Sequence, residues 1–270
     1  MVSEITGKKI WITGAGSGIG RSLALSLACA GNDVVISGRN QDKLETVRAL
    51  APSNISTLVC DVSDDTANDA VRGDLASQVG SLDIAIFNAG HCEYVENGQL
   101  RTDLFRRVYE VNVFGVVNSA IIAIPLLRRN GKASSDPQQR SQIVGIASLS
   151  TIVGLPRAEA YGSSKASMNY LLESLRLDIA NQGIDVTVVN PGFVKTPMTD
   201  VNDFPMPFLM NADTAAQRII AGIARRKLKL QFPKRLHYTL ALAASMPGLW
   251  YRRGGKMLSR AKRVTPAAES

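Results

Sequence analysis

One short segment near the start of the chain restricts its fold more than any other. An apolar strand pattern, Lys8–Thr13 (KKIWIT), runs straight into a glycine cluster, Thr13–Gly20 (TGAGSGIG), and Gly18–Ala30 is then apolar at helical spacing. Glycines lack a Cβ, so the backbone can turn sharply here and approach a ligand closely. The N–H groups at the start of a helix bind anions. We therefore predict a strand–turn–helix unit that binds a phosphate or pyrophosphate.

The rest of the chain continues the alternation of strand and helix patterns. Continuous Val- and Ile-rich strands are typical of a sheet that is buried on both faces, and strands that alternate with helices indicate a parallel sheet. We predict an α/β fold with a single doubly wound Rossmann-type domain of about seven parallel strands, with helices on both faces, over residues 1–232. A basic, partly apolar and helical C-terminal extension follows over residues 233–270. The predicted strands after the first are Asp33–Ser37, Thr57–Cys60, Leu82–Phe87, Gln142–Ala147, Ile184–Asn190 and a strand with Leu228, Leu230 and Phe232. The predicted helices after the first are Asn40–Leu50, Asp64–Val79, Leu100–Arg129 and Glu159–Asn181.

The charge of the chain is concentrated at one end. The formal net charge is +8, but 12 of the 31 Lys and Arg residues lie between Arg225 and Arg263, a span with no Asp or Glu. The first 224 residues hold 19 basic and 22 acidic residues. A protein that binds nucleic acid over its whole surface would be basic throughout, so we predict no nucleic-acid partner. The three cysteines and two histidines lack metal-ligand spacing, and we expect no metal site and a reducing, cytoplasmic environment.

A tyrosine, a lysine and a serine are the candidate catalytic groups. Tyr161 and Lys165 are four residues apart in a helical pattern, so they share one helix face. Ser148 follows a predicted parallel strand, and ligands bind at the carboxyl ends of such strands. An ammonium group stabilises a phenolate and lowers the pKa of a neighbouring tyrosine, so Lys165 would prepare Tyr161 for proton transfer. Ser148 would donate a hydrogen bond where charge develops on a substrate oxygen.

Several motifs in order give the chain a specific resemblance. After the glycine turn come Asp61-Val62, Asn88-Ala89-Gly90, Asn112, Ser148, Tyr161-x-x-x-Lys165 and Pro191-Gly192, each at the end of a predicted strand or within a predicted helix. This set resembles the short-chain dehydrogenase/reductase family, and the resemblance covers about residues 5–232. Phe87 and Ala147 depart from the residues that many relatives have there, but neither change removes a group that the chemistry needs.

The resemblance implies a nicotinamide cofactor and assigns roles by position. It implies catalytic roles for Asn112, Ser148, Tyr161 and Lys165, with Lys165 also on the nicotinamide ribose and Asn112 holding a water for proton transfer. Asp61 and Val62 would contact the adenine, and Val194 and Thr196 the carboxamide. The cofactor-binding residues that we predict are Gly14, Ser17, Gly18, Ile19, Gly20, Arg39, Asp61, Val62, Asn88, Ala89, Gly90, Tyr161, Lys165, Pro191, Val194 and Thr196. Homo-oligomers through the two long helices are a further implication.

The end of the second strand favours NADP(H) over NAD(H). A carboxylate there would bind the 2′-hydroxyl of NAD, but this chain has Ser37-Gly38-Arg39-Asn40. The guanidinium of Arg39 suits a 2′-phosphate. The alternative is a solvated arginine that the nearby Asp42 neutralises.

The segment Gly192–Asp213 predicts an apolar substrate. In the family it covers the substrate, and here it contains Phe204, Met206, Phe208, Leu209 and Met210. The same pocket could include Tyr94, Leu149, Val153 and Leu155. Core packing of a short helix is the alternative. We predict an oxidoreductase that transfers a hydride between NADP(H) and an apolar ketone, aldehyde or secondary alcohol. The competing hypothesis is a non-enzymatic module that senses the nicotinamide cofactor and acts through its basic tail.

The C-terminal extension has an apolar run, Leu236–Trp250, between basic clusters. It is shorter than the about 20 residues of a spanning helix and is broken by Pro247-Gly248, so we predict no transmembrane segment there. An anionic membrane surface, bound through residues 234–263, is one expected partner of such a sequence. A helix over the active site and a partner-binding face are the alternatives.

Overall fold

The computed structural model describes residues 5–130 and 139–254, without the side chains of residues 128–130. These residues form nine strands, and the seven strands predicted from the sequence occur in the predicted order. The helix Ala212–Ala224 was not predicted. The strands are β1 (Lys9–Thr13), β2 (Asp33–Gly38), β3 (Ile55–Val59), β4 (Ile84–Phe87), β5 (Ser141–Ile146), β6 (Ile184–Pro191), β7 (Val194–Lys195), β8 (Met210–Asn211) and β9 (Lys229–Phe232). The helices are α1 (Gly18–Cys29), α2 (Gln41–Arg48), α3 (Asn68–Val79), α4 (Thr102–Tyr109), α5 (Gly115–Asn130), α6 (Glu159–Ile179), α7 (Ala212–Ala224) and α8 (Lys234–Ser245).

Seven of these strands form one parallel sheet in the order β3-β2-β1-β4-β5-β6-β9. This is the predicted doubly wound Rossmann-type arrangement, in which the chain reverses its direction of travel between β1 and β4. A crevice forms at such a reversal, at the carboxyl ends of the strands. The short parallel pair of β7 and β8 was not predicted from the sequence, since two-residue strands leave no periodic pattern.

The core lies in two layers, one on each face of the sheet. On one face Trp11, Phe87 and Val186 pack against side chains of α3, α5 and α6. On the other, Ile12 and Ile36 pack against α1, α2 and α7. Successive residues of a strand point to opposite faces, so a strand that is buried on both faces must be apolar at every position.

The predicted helix Leu100–Arg129 is interrupted in the structure. α4 and α5 are joined by a π-helical turn, Glu110–Phe114, in which each backbone bond spans one residue more than in an α-helix. The continuous run Thr102–Leu127 is long and apolar enough to cross a membrane by composition, but 56% of its most apolar window is buried inside the protein. That burial is typical of a core helix.

The predicted C-terminal extension is helical where the structure describes it. After a cis Phe232–Pro233 peptide bond, α8 runs to Ser245, and Pro247–Leu249 and Trp250–Gly254 form two further short helical turns. The remainder of the predicted extension, residues 255–270, lies outside the described part of the chain.

Gly145 in β5 sets how closely α6 approaches the sheet. A Cβ at this position would lie 2.1 Å from Leu172 Cδ1 and 3.0 Å from Met168 Cε, both on α6. We expect Gly145→Val to lower the free energy of unfolding by about 1–3 kcal/mol through overpacking. The matched control is Gly73→Ala in α3, where a Cβ meets nothing within 4 Å. It should raise that free energy by about 0.5–1 kcal/mol. Urea denaturation measures both, and equal stability of the two variants would contradict the packing argument.

Candidate active site

A cavity of about 370 Å³ opens at the carboxyl ends of the strands. Residues that follow β1 to β6 line it, which is the expected place for a ligand in an open α/β sheet. Most of the predicted site residues line the cavity: Gly14, Ser17, Gly18, Ile19, Arg39, Asp61, Val62, Asn88, Ala89, Gly90, Ser148, Tyr161, Lys165, Pro191, Val194 and Thr196. Two predicted residues do not line the cavity. Gly20 packs against the lining residue Asn88, and Asn112 packs beside the lining residue Gly90.

The glycine turn has a shape that only glycine adopts easily. Gly14 has a φ of +66°, and a Cβ there would lie 2.7 Å from the backbone Cα of Ala89. Gly18 has a φ of +55°, and a Cβ there would lie 2.9 Å from Thr196 Cγ2. Side chains at these two positions would also fill the space at the start of α1. No side chain caps the N-terminus of α1, which is entirely described, and its first turn has no acidic residue. Its N–H groups therefore remain available to an anion.

Asn88 ties the glycine turn to the end of β4. Its Nδ2 donates to the carbonyl oxygens of Thr13, at 3.1 Å, and Gly14, at 3.0 Å. The Thr13 hydroxyl in turn accepts from the backbone N–H groups of Asn88 and Ala89. A Cβ on Gly20 would lie 2.5 Å from Asn88 Nδ2, so Gly20 allows this packing. Asn88 and Gly20 thus shape the cleft from behind.

One end of the cavity is basic. Arg39 lies beside Asp61, with 4.0 Å between Arg39 Nη1 and Asp61 Oδ2, and the Arg39 side chain is largely exposed. Lys43, in the first turn of α2, also lines this end, and its Cβ lies against Gly16. Sequence reasoning missed Lys43, although its position four residues after Arg39, where α2 begins, was a usable signal.

Ser148 is held by a polar residue that sequence reasoning also missed. The Ser148 backbone N–H donates to Asn190 Oδ1 at 3.1 Å, and its Oγ accepts from the backbone N–H of Ser150 at 3.1 Å. Asn190 is fully buried in β6, next to the predicted Pro191. A buried asparagine at the end of an apolar strand was the available signal, because such a side chain needs a hydrogen-bonding partner.

Tyr161 and Lys165 lie on the same face of α6, as predicted, and both point into the cavity. The Ser148 side chain lies near the Tyr161 hydroxyl and acts to lower the pKa of Tyr161. Lys165 is 3% exposed, its Nζ donates to the carbonyl oxygen of Ile146 at 3.0 Å, and this Nζ is 5.9 Å from the centre of the Tyr161 ring. The three candidate catalytic side chains therefore meet at one end of the cleft.

Burial decides the ionisation of both groups. It disfavours the charged forms and raises the pKa of Tyr161 above its usual value, despite the opposing effect of the Ser148 side chain. The expectation that a neighbouring ammonium lowers the pKa of Tyr161 is wrong in direction here, because burial raises this pKa and the nearby Cys92 adds to the rise. Burial also lowers the pKa of Lys165 to about 8. Tyr161 is thus a protonated acid at neutral pH, and Lys165 loses its charge not far above it.

Asn112 occupies the π-helical turn and is fully buried. Its Oδ1 accepts from the backbone N–H of His91, and its Nδ2 donates to the His91 carbonyl oxygen and to Ser164 Oγ. A Cβ on Gly90 would be 3.4 Å from Asn112 Oδ1 and 3.3 Å from Lys165 Nζ. Asn112 therefore fixes the loop segment Gly90–His91, which follows β4 and lies beside Lys165. The predicted water beside Asn112 stays a prediction.

An aromatic cluster lies near the catalytic end. Phe204 packs edge-on against Tyr94, with ring centres 5.6 Å apart, and against Phe193 at 6.0 Å. The Tyr94 hydroxyl donates to Asn202 Oδ1 at 2.8 Å, which holds the predicted covering segment in place. Part of the segment Gly192–Asp213 faces away from the site. Phe208 and Leu209 are exposed, and Met210 packs against the core layer that contains Ile12 and Ile36.

The C-terminal extension completes an apolar wall beside Ser148. Leu236 and Leu240 of α8 pack with Leu149 and Val153, which follow Ser148 in the chain. Farther along, the indole N–H of Trp250 donates to the carbonyl oxygen of Gly154 at 3.1 Å. The inner side of α8 therefore packs against the segment that follows Ser148.

The cleft fits a dinucleotide cofactor. The glycines leave space where a Cβ would collide, the start of α1 offers N–H groups, and a basic end and a polar end lie on either side. Within the described residues, no group of three or more His, Cys, Asp or Glu side chains could hold a metal ion.

Comparison with known proteins agrees with this architecture. The family model described as short chain dehydrogenase matches residues 8–204. A Myxococcus xanthus protein named "Uncharacterized oxidoreductase" is 32% identical over 250 residues, which cover 91% of this chain and 95% of the relative. The 3-oxoacyl-[acyl-carrier-protein] reductase FabG of Rickettsia prowazekii is 33% identical over 199 residues, covering 73% of this chain and 77% of that protein.

The structure of this chain is similar to a solved structure over most of the length of both proteins. The crystal structure of 3-ketoacyl-(acyl-carrier-protein) reductase from Brucella melitensis complexed with NADH has a TM-score of 0.75 and 26% identity. The match covers 84% of this chain and 96% of that one. This chain is therefore a member of the short-chain dehydrogenase family of oxidoreductases, which bind NAD(H) or NADP(H).

Proposed function

We propose that this protein is an NADP(H)-dependent oxidoreductase that acts on an apolar ketone or aldehyde, or on the corresponding alcohol, with Tyr161 as the general acid or base. The observation that supports this most directly is the meeting of Tyr161, Ser148 and Lys165 at the end of the dinucleotide cleft. The bound nicotinamide would supply or accept the hydride.

The chain's own groups would manage the proton and the developing charge. In carbonyl reduction the oxygen gains a proton, and the partly buried, protonated Tyr161 is an acid that can donate it. Ser148, held by Asn190, would donate a hydrogen bond to the same oxygen and stabilise its partial negative charge. The ammonium of Lys165 would stabilise the phenolate that remains after the transfer.

The basic end of the cleft supports NADP(H). Arg39 and Lys43 both line the part of the cavity beside β2 and α2, where a 2′-phosphate would lie. The Brucella relative is complexed with NADH, so family membership does not by itself select NADP(H), and these two side chains are the discriminating feature.

The walls at the catalytic end support an apolar substrate. They include the aromatic cluster Tyr94, Phe193 and Phe204 and the packing of Leu149 and Val153 on α8, and Phe193 belongs to both groups. A chain that only sensed the cofactor would not need Ser148, Tyr161 and Lys165 together, so no observation favours that alternative. The predicted cytoplasmic location and homo-oligomer stay predictions, and Ile121 on α5 and Leu177 on α6 are exposed apolar residues on the helices that would meet.

Tyr161→Phe tests the proposed acid. Loss of the hydroxyl should lower kcat for carbonyl reduction by about 10²–10⁴-fold while the Kd for NADPH stays nearly the same. The matched control is Tyr170→Phe, an exposed residue on the same helix. The measurement is NADPH oxidation with ketones and aldehydes of increasing chain length. Turnover by Tyr161→Phe at the control rate would exclude this role, and cofactor binding without any turnover in the unaltered protein would favour the sensing module.

The lowered pKa of Lys165 predicts a pH dependence. Carbonyl reduction needs a protonated Tyr161 and a charged Lys165, and Lys165 is charged only below its pKa of about 8. We therefore expect kcat/KM for NADPH, which reports ionisations in the free enzyme, to fall as pH rises through about 8. A profile that stays flat to pH values well above this would show that the Lys165 charge is not required.

Arg39→Leu tests the cofactor preference. Loss of a charge-assisted contact should reduce the preference for NADPH over NADH, as a ratio of kcat/KM values, by about 10- to 100-fold. Arg48→Leu is the control, since Arg48 pairs with Glu45 on α2 away from the cavity. An unchanged ratio in Arg39→Leu would argue against a 2′-phosphate contact.

A further inference from the structure

We propose that the outward face of the C-terminal extension docks on an anionic lipid bilayer. We call this surface the docking face, and it consists of Lys234, Arg235, Tyr238, Leu242, Met246, Leu249, Tyr251, Arg252 and Arg253. All nine residues are exposed in the structure.

The two sides of α8 differ in what covers them. Leu236 and Leu240 point inward to the wall beside Ser148 and are buried. Tyr238 and Leu242 lie on the opposite side, with exposures of 63% and 58%. A helix of a soluble domain normally places polar residues on its outer side, so large exposed apolar residues in a row indicate a binding surface.

The exposed apolar row continues after α8. Met246, Leu249 and Tyr251 are exposed in the turns that follow, so the row extends from the start of α8 to the end of the described chain. Tyrosines with an apolar body and a polar tip suit the boundary between lipid and water.

Basic residues flank this row at both ends. Lys234 and Arg235 begin α8, and Arg252 and Arg253 follow Tyr251. None of these four forms an ion pair with a residue that the structure describes. The sequence has no Asp or Glu from Arg225 to Ala268, and it adds Lys256, Arg260, Lys262 and Arg263 beyond Gly254. Each basic residue close to an anionic membrane surface strengthens binding about fivefold.

This combination favours a bilayer over the other occupants. Apolar residues with flanking Lys and Arg on one side of a helix are the pattern of a helix that lies in the membrane interface. A second copy that met this face about a two-fold axis would bring like charges together. Nucleic acid would use the charges but leave Leu242 and Leu249 without apolar contact.

Docking would bring the active site toward the lipid. The inner side of α8 and Trp250 contact the segment Leu149–Gly154, which follows Ser148 directly. An apolar substrate dissolved in the bilayer would then have a short path to the site. This last step rests on the proposed function, whereas the docking itself does not.

Sedimentation with lipid vesicles tests the docking. The full-length protein should bind vesicles of phosphatidylcholine with phosphatidylglycerol, bind pure phosphatidylcholine much more weakly, and be released as salt increases. Leu242→Asp should lower the partition coefficient by about tenfold, since it replaces inserted apolar surface with a charge. The matched control is Leu50→Asp, which alters a residue of nearly equal exposure, 57%, near β3 at the far edge of the sheet.

Reversing the charge of two basic residues on the docking face tests the electrostatic part of the proposal independently. Arg252→Glu with Arg253→Glu should reduce binding to the anionic vesicles by about 25-fold or more. Thermal unfolding and NADPH binding verify that each variant is folded, and they do not depend on the vesicles. Failure of turnover would therefore affect the proposed function and leave the docking result intact.

Two outcomes would overturn the proposal. One is equal partitioning of the unaltered protein, Leu242→Asp and Leu50→Asp on anionic vesicles. The other is a change of oligomeric state in Leu242→Asp, measured without lipid by light scattering, which would assign the face to a second copy of the chain.

Discussion

The close approach of the glycine turn to the end of β4 is the contact on which the site depends. Gly14 meets the backbone of Ala89 at a distance that leaves no room for a Cβ, and Asn88 bonds two carbonyl oxygens of the turn. This packing holds β1 and β4 together at the point where the sheet reverses its order, so the crevice and the start of α1 face each other. A bulkier residue in the turn would separate the strands and fill the crevice at once.

The catalytic end depends on buried polar side chains that position its backbone through hydrogen bonds. Asn190 positions Ser148, and Asn112 bonds both backbone groups of His91 and the side chain of Ser164. Such a network specifies one arrangement, because an unpaired polar group in the interior is costly. The same burial keeps Tyr161 protonated and weakens the charge of Lys165, so the environment that orders the site also selects its proton-donating form.

The C-terminal extension connects this interior to the surface. Its inner side supplies part of the apolar wall, and its outer side presents apolar and basic residues to solvent. The two sequence hypotheses for this segment, a helix over the active site and a membrane-binding helix, are therefore compatible, because a helix has two sides with a different partner for each. The packing of its inner side against Leu149 and Val153 is observed, and the docking of its outer side is the proposal.

The sequence by itself determined the sheet, the order of the elements and most of the site. Strand and helix periodicities are local features of the sequence. Gly14 and Ser148 directly follow strands, and Tyr161 and Lys165 share one face of a helix, so their convergence at the carboxyl ends of the sheet could be predicted.

Only the tertiary structure decided the features that depend on contacts between distant segments. Lys43 and Asn190 joined the site because the start of α2 and the end of β6 lie beside it. The π-helical turn at Asn112 forms within an uninterrupted helical pattern. The pKa of Tyr161 moved against the sequence argument because desolvation is set by everything that packs around the hydroxyl. The placement of α8 was likewise decided by its fit against Leu149 and Val153, a contact that no local pattern encodes.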